Sequence, residues 1–162
     1  LWEKVSWVPK IKSGIPKTEE FEVSDRNGLL TVANSCIKQL IDGAGGCLFA
    51  MITGVQHWKI FEWLNSATGW DKTPDEYMVI GKRMQTLRQM FNVREGINPI
   101  DFKMHDRIVG NPPLKKGPLK DKTVPIEGMI KKHWEHFGWH IETGVPTEET
   151  IKELCLDRLI DE

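Results

Sequence analysis

An excess of positive charge, a dense set of cysteines and long apolar runs are all missing from this chain of 162 residues. Lys and Arg number 22 against 23 Asp and Glu, a formal charge of −1. No basic stripe is present to track a phosphate backbone, so nucleic acid is not an expected partner. The longest apolar run, Cys47 to Ile52, falls far short of the roughly 20 residues that a membrane-spanning helix needs, and no membrane partner is expected. Three cysteines, Cys36, Cys47 and Cys155, form an odd and widely spaced set without a disulfide framework. That usage fits a reducing, cytoplasmic setting. Leu1 to Lys17 mixes charge, Pro and Trp without the apolar stretch of a secretory leader. The chain opens on Leu1 rather than Met, as expected of a fragment or a processed product. Runs of period-2 alternation long enough for a sheet are lacking too, and no internal repeat stands out.

What is present is enough apolar surface for a packed core. Hydrophobic residues make up 40% and charged residues 28%, so one folded domain over residues 1–162 is expected. Residues 1–23 read as irregular, punctuated by Pro9, Gly14 and Pro16. A helix is predicted from Asp25, with Leu29, Val32, Ala33, Cys36, Ile37, Leu40 and Ile41 along one face. Gly43 is expected to end it in the left-handed cap conformation. A second helix is predicted over Val55 to Asn65. The third begins at Thr73 as N-cap, with Pro74 at its first position and Asp75 and Glu76 against the helix dipole. Its predicted apolar face is Tyr77, Ile80, Met84, Leu87 and Phe91, and Gly96 closes it. Residues 97–124 read as loop, with a basic, solvated stretch from Lys115 to Lys122. A fourth helix is predicted over Pro125 to Phe137, capped by Gly138. A short fifth starts at Thr147, with Ile151, Leu154 and Cys155 facing inward. The predicted class is all-α: a multihelical domain with long irregular connections.

Three groups of residues have chemical potential. In Asp42-x-x-Gly45-x-Cys47 a thiol follows two glycines, Gly45 and Gly46, whose backbone can approach a bulky ligand closely. A soft thiolate suits an iron–sulfur cluster, but a [4Fe–4S] cluster normally takes four such ligands. A helix cap followed by a buried cysteine explains the pattern equally well. Cys36 and Cys155 sit on predicted apolar faces and read as small buried hydrophobes. The second group is His133, His136 and His140. The first two share a helix side, but Gly138 should break the helix before the third, and no zinc-enzyme spacing is present. The seven tryptophans read first as packing residues of a core or a domain interface.

At this point the sequence resembles a known family. The run Leu64-Asn65-Ser66-Ala67-Thr68-Gly69-Trp70-Asp71-Lys72-Thr73-Pro74-Asp75-Glu76 is similar to a signature of the tungsten-dependent aldehyde ferredoxin oxidoreductases. Met90 to Gly96, Phe137-Gly138-Trp139 and Gly144-Val145-Pro146-Thr147 continue the likeness, which runs from about Gly14-Ile15-Pro16-Lys17 to the end and matches the family's C-terminal domain. The resemblance implies that Cys47 is the fourth ligand of a [4Fe–4S] cluster. It implies that Asp42, with the nearby backbone of Gly45 and Gly46, binds one of two pterins that hold tungsten or molybdenum. The family pattern is Asp-x-x-Gly-Leu-Cys, so Gly46 stands where Leu is usual. The other three cluster cysteines and the family's active-site His have no counterpart here: no Cys-x-x-Cys occurs, and the first His is His57.

The implied function is therefore that of the C-terminal part of an enzyme that oxidises aldehydes to carboxylic acids and passes electrons to ferredoxin. Its implied partners are the preceding domains of the same enzyme, ferredoxin and a small aldehyde. The fragment alone should be inactive, colourless and metal-free. The turn around Asp42 and Cys47 should lie on a surface that the rest of the enzyme covers. The competing reading is a helical structural or interaction module, in which Cys47 is a plain thiol and the Gly-rich turn only a cap.

Overall fold

The computed structural model describes Trp7, residues 21–54 and residues 57–159. The expected irregularity of residues 1–20 falls, apart from Trp7, outside the described residues, as does the proposed helix start at Val55. Among the described residues there are seven α-helices and no strand: α1 (Asp25–Gly43), α2 (Leu48–Thr53), α3 (Ile60–Thr68), α4 (Pro74–Arg94), α5 (Asp106–Val109), α6 (Ile126–Phe137) and α7 (Glu148–Glu153). The fold is all-α, as its periodicity predicted. None of these helices is long and apolar enough to cross a membrane.

α1 is the central element and packs against both α4 and α6. Ser24 starts it by accepting the Asn27 N–H. Ala33, Cys36, Ile37, Leu40 and Ile41 then form the buried stripe, joined by Tyr77 and Met78 of α4 and by Trp134, Phe137 and Trp139. Leu29, expected on the same stripe, is exposed. Two glycines set the crossings by letting backbones touch. A Cβ at Gly81 would lie 2.3 Å from the Cys36 carbonyl oxygen, so α4 meets α1 without a side chain between. A Cβ at Gly28 would lie 2.6 Å from His136 Cδ2 and 3.0 Å from the Lys132 carbonyl oxygen on α6.

The start of α4 forms as its residues predict. The Thr73 hydroxyl accepts the Glu76 N–H and the Glu76 carboxylate accepts the Thr73 N–H, a complete capping box, with Pro74 in the first turn. These bonds hold the Glu76 carboxyl below its ordinary range. Thr147 likewise caps α7.

Several expectations are corrected. The predicted helix over Val55 to Asn65 is α3, Ile60–Thr68, and a separate helix that was not predicted precedes it, because the apolar run from Leu48 to Thr53 is itself helical and Gly54 leaves it in extended conformation. Six consecutive residues, five of them apolar, show no periodicity to read. α1 includes Gly43, and the left-handed glycine is Gly45, at φ +73°. In the second half of α4, Leu87 and Phe91 are exposed and Thr86 is buried instead. Thr86 faces inward because its hydroxyl accepts the Trp139 indole N–H at 3.4 Å. Cys155 is exposed rather than inward-facing. α7 stops at Glu153 and Cys155 adopts φ +53°, which buries Leu156 in its place beside Leu154, buried as predicted. The 97–124 segment contains a 3₁₀ turn, Pro99–Asp101, and the single turn of α5.

Candidate functional site

The residues singled out from the sequence lie together where α1 ends. Asp42 is in the last turn of α1. Its carbonyl oxygen accepts the Gly45 N–H at 3.1 Å, and the Ile41 carbonyl accepts the Gly46 N–H at 2.8 Å. This pair of bonds closes the helix and turns the chain, and the turn requires the positive φ of Gly45. The Asp42 carboxylate is ion-paired with Lys38 one turn earlier, with both side chains about half exposed. Such a surface pair is weak, so the carboxylate is free to exchange Lys38 for another donor.

The two glycines serve different needs. A Cβ at Gly45 would meet nothing within 4 Å among the described residues, which leave that side of the turn open. A Cβ at Gly46 would lie 3.0 Å from Ile41 Cγ2, 3.1 Å from the Ile41 carbonyl oxygen and 3.3 Å from Trp58 Cζ3. The space that a larger residue at 46 would need is thus taken by Trp58 and Ile41. Cys47 follows in extended conformation as the N-cap residue of α2, without a side-chain capping bond, and its thiol is exposed. Asp42, Gly45 and Cys47 all lie at the surface rather than in the core. Beyond the turn, Phe49 (77% exposed), Ile52 and Trp63 on α2 and α3 are large apolar side chains left exposed.

The other cysteines differ. Cys36 is 3% exposed within the α1 stripe. Burial pushes its thiol up to about 12, against a small opposing effect of Lys82, so it stays protonated and inert. Cys155 lies in the turn after α7. Cys47 alone is both exposed and placed on the Gly-rich turn.

The histidines are parted by their surroundings. His133 is largely buried, edge-on to Phe137 (4.9 Å) and to Trp139 (6.2 Å). Burial, and secondarily the charge of His136, pushes it down to about 4. His136 Nε2 lies 3.4 Å from Asp25 Oδ1. Lys132 donates to the same carboxylate at 2.8 Å and holds Asp25 below the ordinary carboxylate range. His140 stands beyond Gly138, which is left-handed at φ +77°. Among the described residues no group of three or more His, Cys, Asp or Glu is placed to hold a metal ion. Toward a cluster this turn could offer a single thiolate, that of Cys47, with the remaining ligands supplied from elsewhere.

The blocks of sequence that carry the resemblance have structural tasks. Asn65 ties α3 to α4: its Oδ1 accepts from Tyr77 Oη (2.7 Å) and from the Lys72 N–H (3.1 Å), and its Nδ2 donates to the Lys72 carbonyl (2.9 Å). Thr147 and Thr150 both donate their hydroxyls to the Gly138 carbonyl, at 2.8 and 2.6 Å. Gly144 leaves room for the Trp134 ring, which a Cβ there would approach to 2.6 Å. The seven tryptophans divide: Trp134 and Trp139 are buried, whereas Trp63 and Trp70 are about half exposed. Two members of the site escaped the sequence reading. Lys38 carried a signal, its four-residue spacing from Asp42. Trp58 carried none beyond its size, because its contact with Gly46 is tertiary.

The family model described as aldehyde ferredoxin oxidoreductase, domains 2 & 3, matches residues 3–156. A tungsten-containing aldehyde ferredoxin oxidoreductase of Pyrococcus abyssi is 29% identical over 153 residues, which cover 94% of this chain and 25% of the relative. The Pyrococcus furiosus protein of the same name is 30% identical over 148 residues, 90% of this chain and 24% of the relative. The chain therefore spans about a quarter of the length of these curated relatives. With the match extending over nearly its whole length, the chain belongs to the aldehyde ferredoxin oxidoreductase family, in the region of domains 2 and 3.

Proposed function

We propose that this chain is one domain of an enzyme that oxidises aldehydes to carboxylic acids and delivers the electrons to ferredoxin in the cytoplasm. Per turnover, an aldehyde and water give a carboxylic acid, two protons and two electrons. A pterin-bound tungsten or molybdenum would supply the oxygen-transfer chemistry, and a [4Fe–4S] cluster the path for electrons. Within this chain, Cys47 holds one iron through its thiolate. Asp42 accepts hydrogen bonds from the pterin ring once it is released from Lys38, and the Gly45-Gly46 backbone permits close approach on the open side of the turn. The preceding domains supply the other cluster ligands and the residues that act on the aldehyde.

The observation that carries this reading is the exposure of the Cys47 thiol on an open, Gly-rich turn, while Cys36 is sealed in the core. A structural thiol has no need of that placement. The test is made in the full-length enzyme with Cys47→Ala, Cys36→Ala and Cys155→Ala. Cys47→Ala is expected to lose cluster iron, the reduced cluster's electron paramagnetic resonance signal and ferredoxin reduction. Cys36→Ala should cost only packing, on the order of 1 kcal/mol, and Cys155→Ala less. Full iron and normal ferredoxin reduction in Cys47→Ala would leave the structural or interaction module as the function of this chain.

A further inference from the structure

At its two central glycines, Gly45 and Gly46, the turn that presents Cys47 is packed on one side only. On the Gly45 side none of the described residues comes within 4 Å of where a Cβ would stand. On the Gly46 side stand Ile41, which precedes the turn by a few residues, and Trp58, which comes from the segment between α2 and α3. Ile41 is part of the helix that the turn leaves. Trp58 ties the turn to another part of the chain at Gly46, as Met84 of α4, whose Cε lies 2.7 Å from where a Cβ would stand on Gly43, does at its start. The Trp58 ring is itself braced. It packs against the core, and its ring centroid lies 5.7 Å from that of Trp63 at an interplanar angle of 54°. Cys47 contributes no capping bond of its own to fix its position.

From this arrangement we propose that Trp58 is a positioning residue for Cys47: its indole holds the Gly46 peptide in place, fixes the direction in which the thiolate is offered, and keeps water from that side of the turn. The proposal rests on the reading of Cys47 as a cluster ligand. Trp58 need not touch iron to matter. The apolar surroundings of a cluster govern solvent access, and solvent access is one of the determinants of its potential. A reduced cluster carries one more negative charge than an oxidised one, so water admitted beside it favours the reduced form. Removing the indole is expected to raise the cluster's reduction potential and to broaden its electron paramagnetic resonance signal as the ligand geometry becomes heterogeneous.

The experiment compares wild type, Trp58→Phe, Trp58→Ala and Cys47→Ala in the full-length enzyme, by iron content, reductive titration and electron paramagnetic resonance. Alongside it, amide hydrogen exchange is measured on the 162-residue chain carrying the same Trp58 substitutions. Trp58→Ala is expected to retain iron, to titrate at a higher potential and to exchange the Gly46 amide at least about tenfold faster, with the α4 and α6 amides unchanged. Trp58→Phe keeps an aromatic ring but is too short to cover Gly46 fully, and should fall between. If Trp58→Ala fails to fold, the Trp58→Phe shift alone decides. Iron lost from Cys47→Ala together with an unchanged potential and signal in the Trp58 variants would overturn the role of Trp58 and leave Cys47 as a ligand. Iron fully retained in Cys47→Ala would overturn the underlying reading, and this inference with it.

Discussion

His133 should make the stability of this domain depend on pH in a window where few other groups titrate. Its ring is wedged against Phe137 and Trp139, and its Nδ1 has no hydrogen-bond partner. Burial therefore penalises the imidazolium, and the nearby His136 adds to the penalty, bringing the pKa from the usual 6.5 to about 4. The unfolded chain holds a proton on this ring more tightly than the folded one. Stability from this group is thus complete above pH 6.5 and is lost as the pH falls toward 4. A difference of that size corresponds to about 2 kcal/mol lost by pH 5 and to a limit of about 3 kcal/mol in stronger acid. That is a substantial part of the 5–15 kcal/mol typical of a domain. The perturbation is His133→Phe, which keeps an aromatic ring and removes the titration. Urea unfolding of both proteins at pH 7.5, 6 and 5 checks it. Wild type should lose about 2 kcal/mol more than the variant over that range. Any change in packing shifts the variant equally at every pH, so the difference in slope isolates the proton. Parallel stability profiles would refute the reasoning and show that His133 is not held neutral by burial.

Two further outcomes follow from the packing. Gly81→Ala places a methyl group 2.3 Å from the Cys36 carbonyl oxygen, a backbone atom that cannot rotate away. It should destabilise the domain by about 3 kcal/mol by forcing α1 and α4 apart. A drop in urea midpoint of less than a third of that would show that the helices separate at little cost. In native protein, iodoacetamide should label Cys47 and Cys155, which are exposed, and spare Cys36, which is buried with its thiol pushed up to about 12. Peptide mass spectrometry before and after unfolding reads the pattern, and rapid native labelling of Cys36 would contradict the core described above.

The sequence by itself determined the helical class, the starts of α4 and α7 and the stop of α6, because these are local decisions. A capping box at Thr73 and Glu76 is complete within four residues, and Gly138 stops α6 wherever the helix lies. It also determined the make-up of the Asp42–Cys47 turn, whose hydrogen bonds all join residues a few positions apart. Tertiary structure decided which residues those elements bury. Thr86 outranks Leu87 and Phe91 for the interior because Trp139, 53 residues away, supplies its hydrogen-bond partner. Cys155 turns outward and Leu156 takes its place beside Leu154 because α7 ends at Glu153. The helical folding of Leu48–Thr53 and the arrival of Trp58 on Gly46 belong to the same class. Periodicity records only how a segment faces its neighbours on average. It carries no information about which distant side chain comes to rest against a bare glycine, and in this domain that contact shapes the setting of the exposed cysteine.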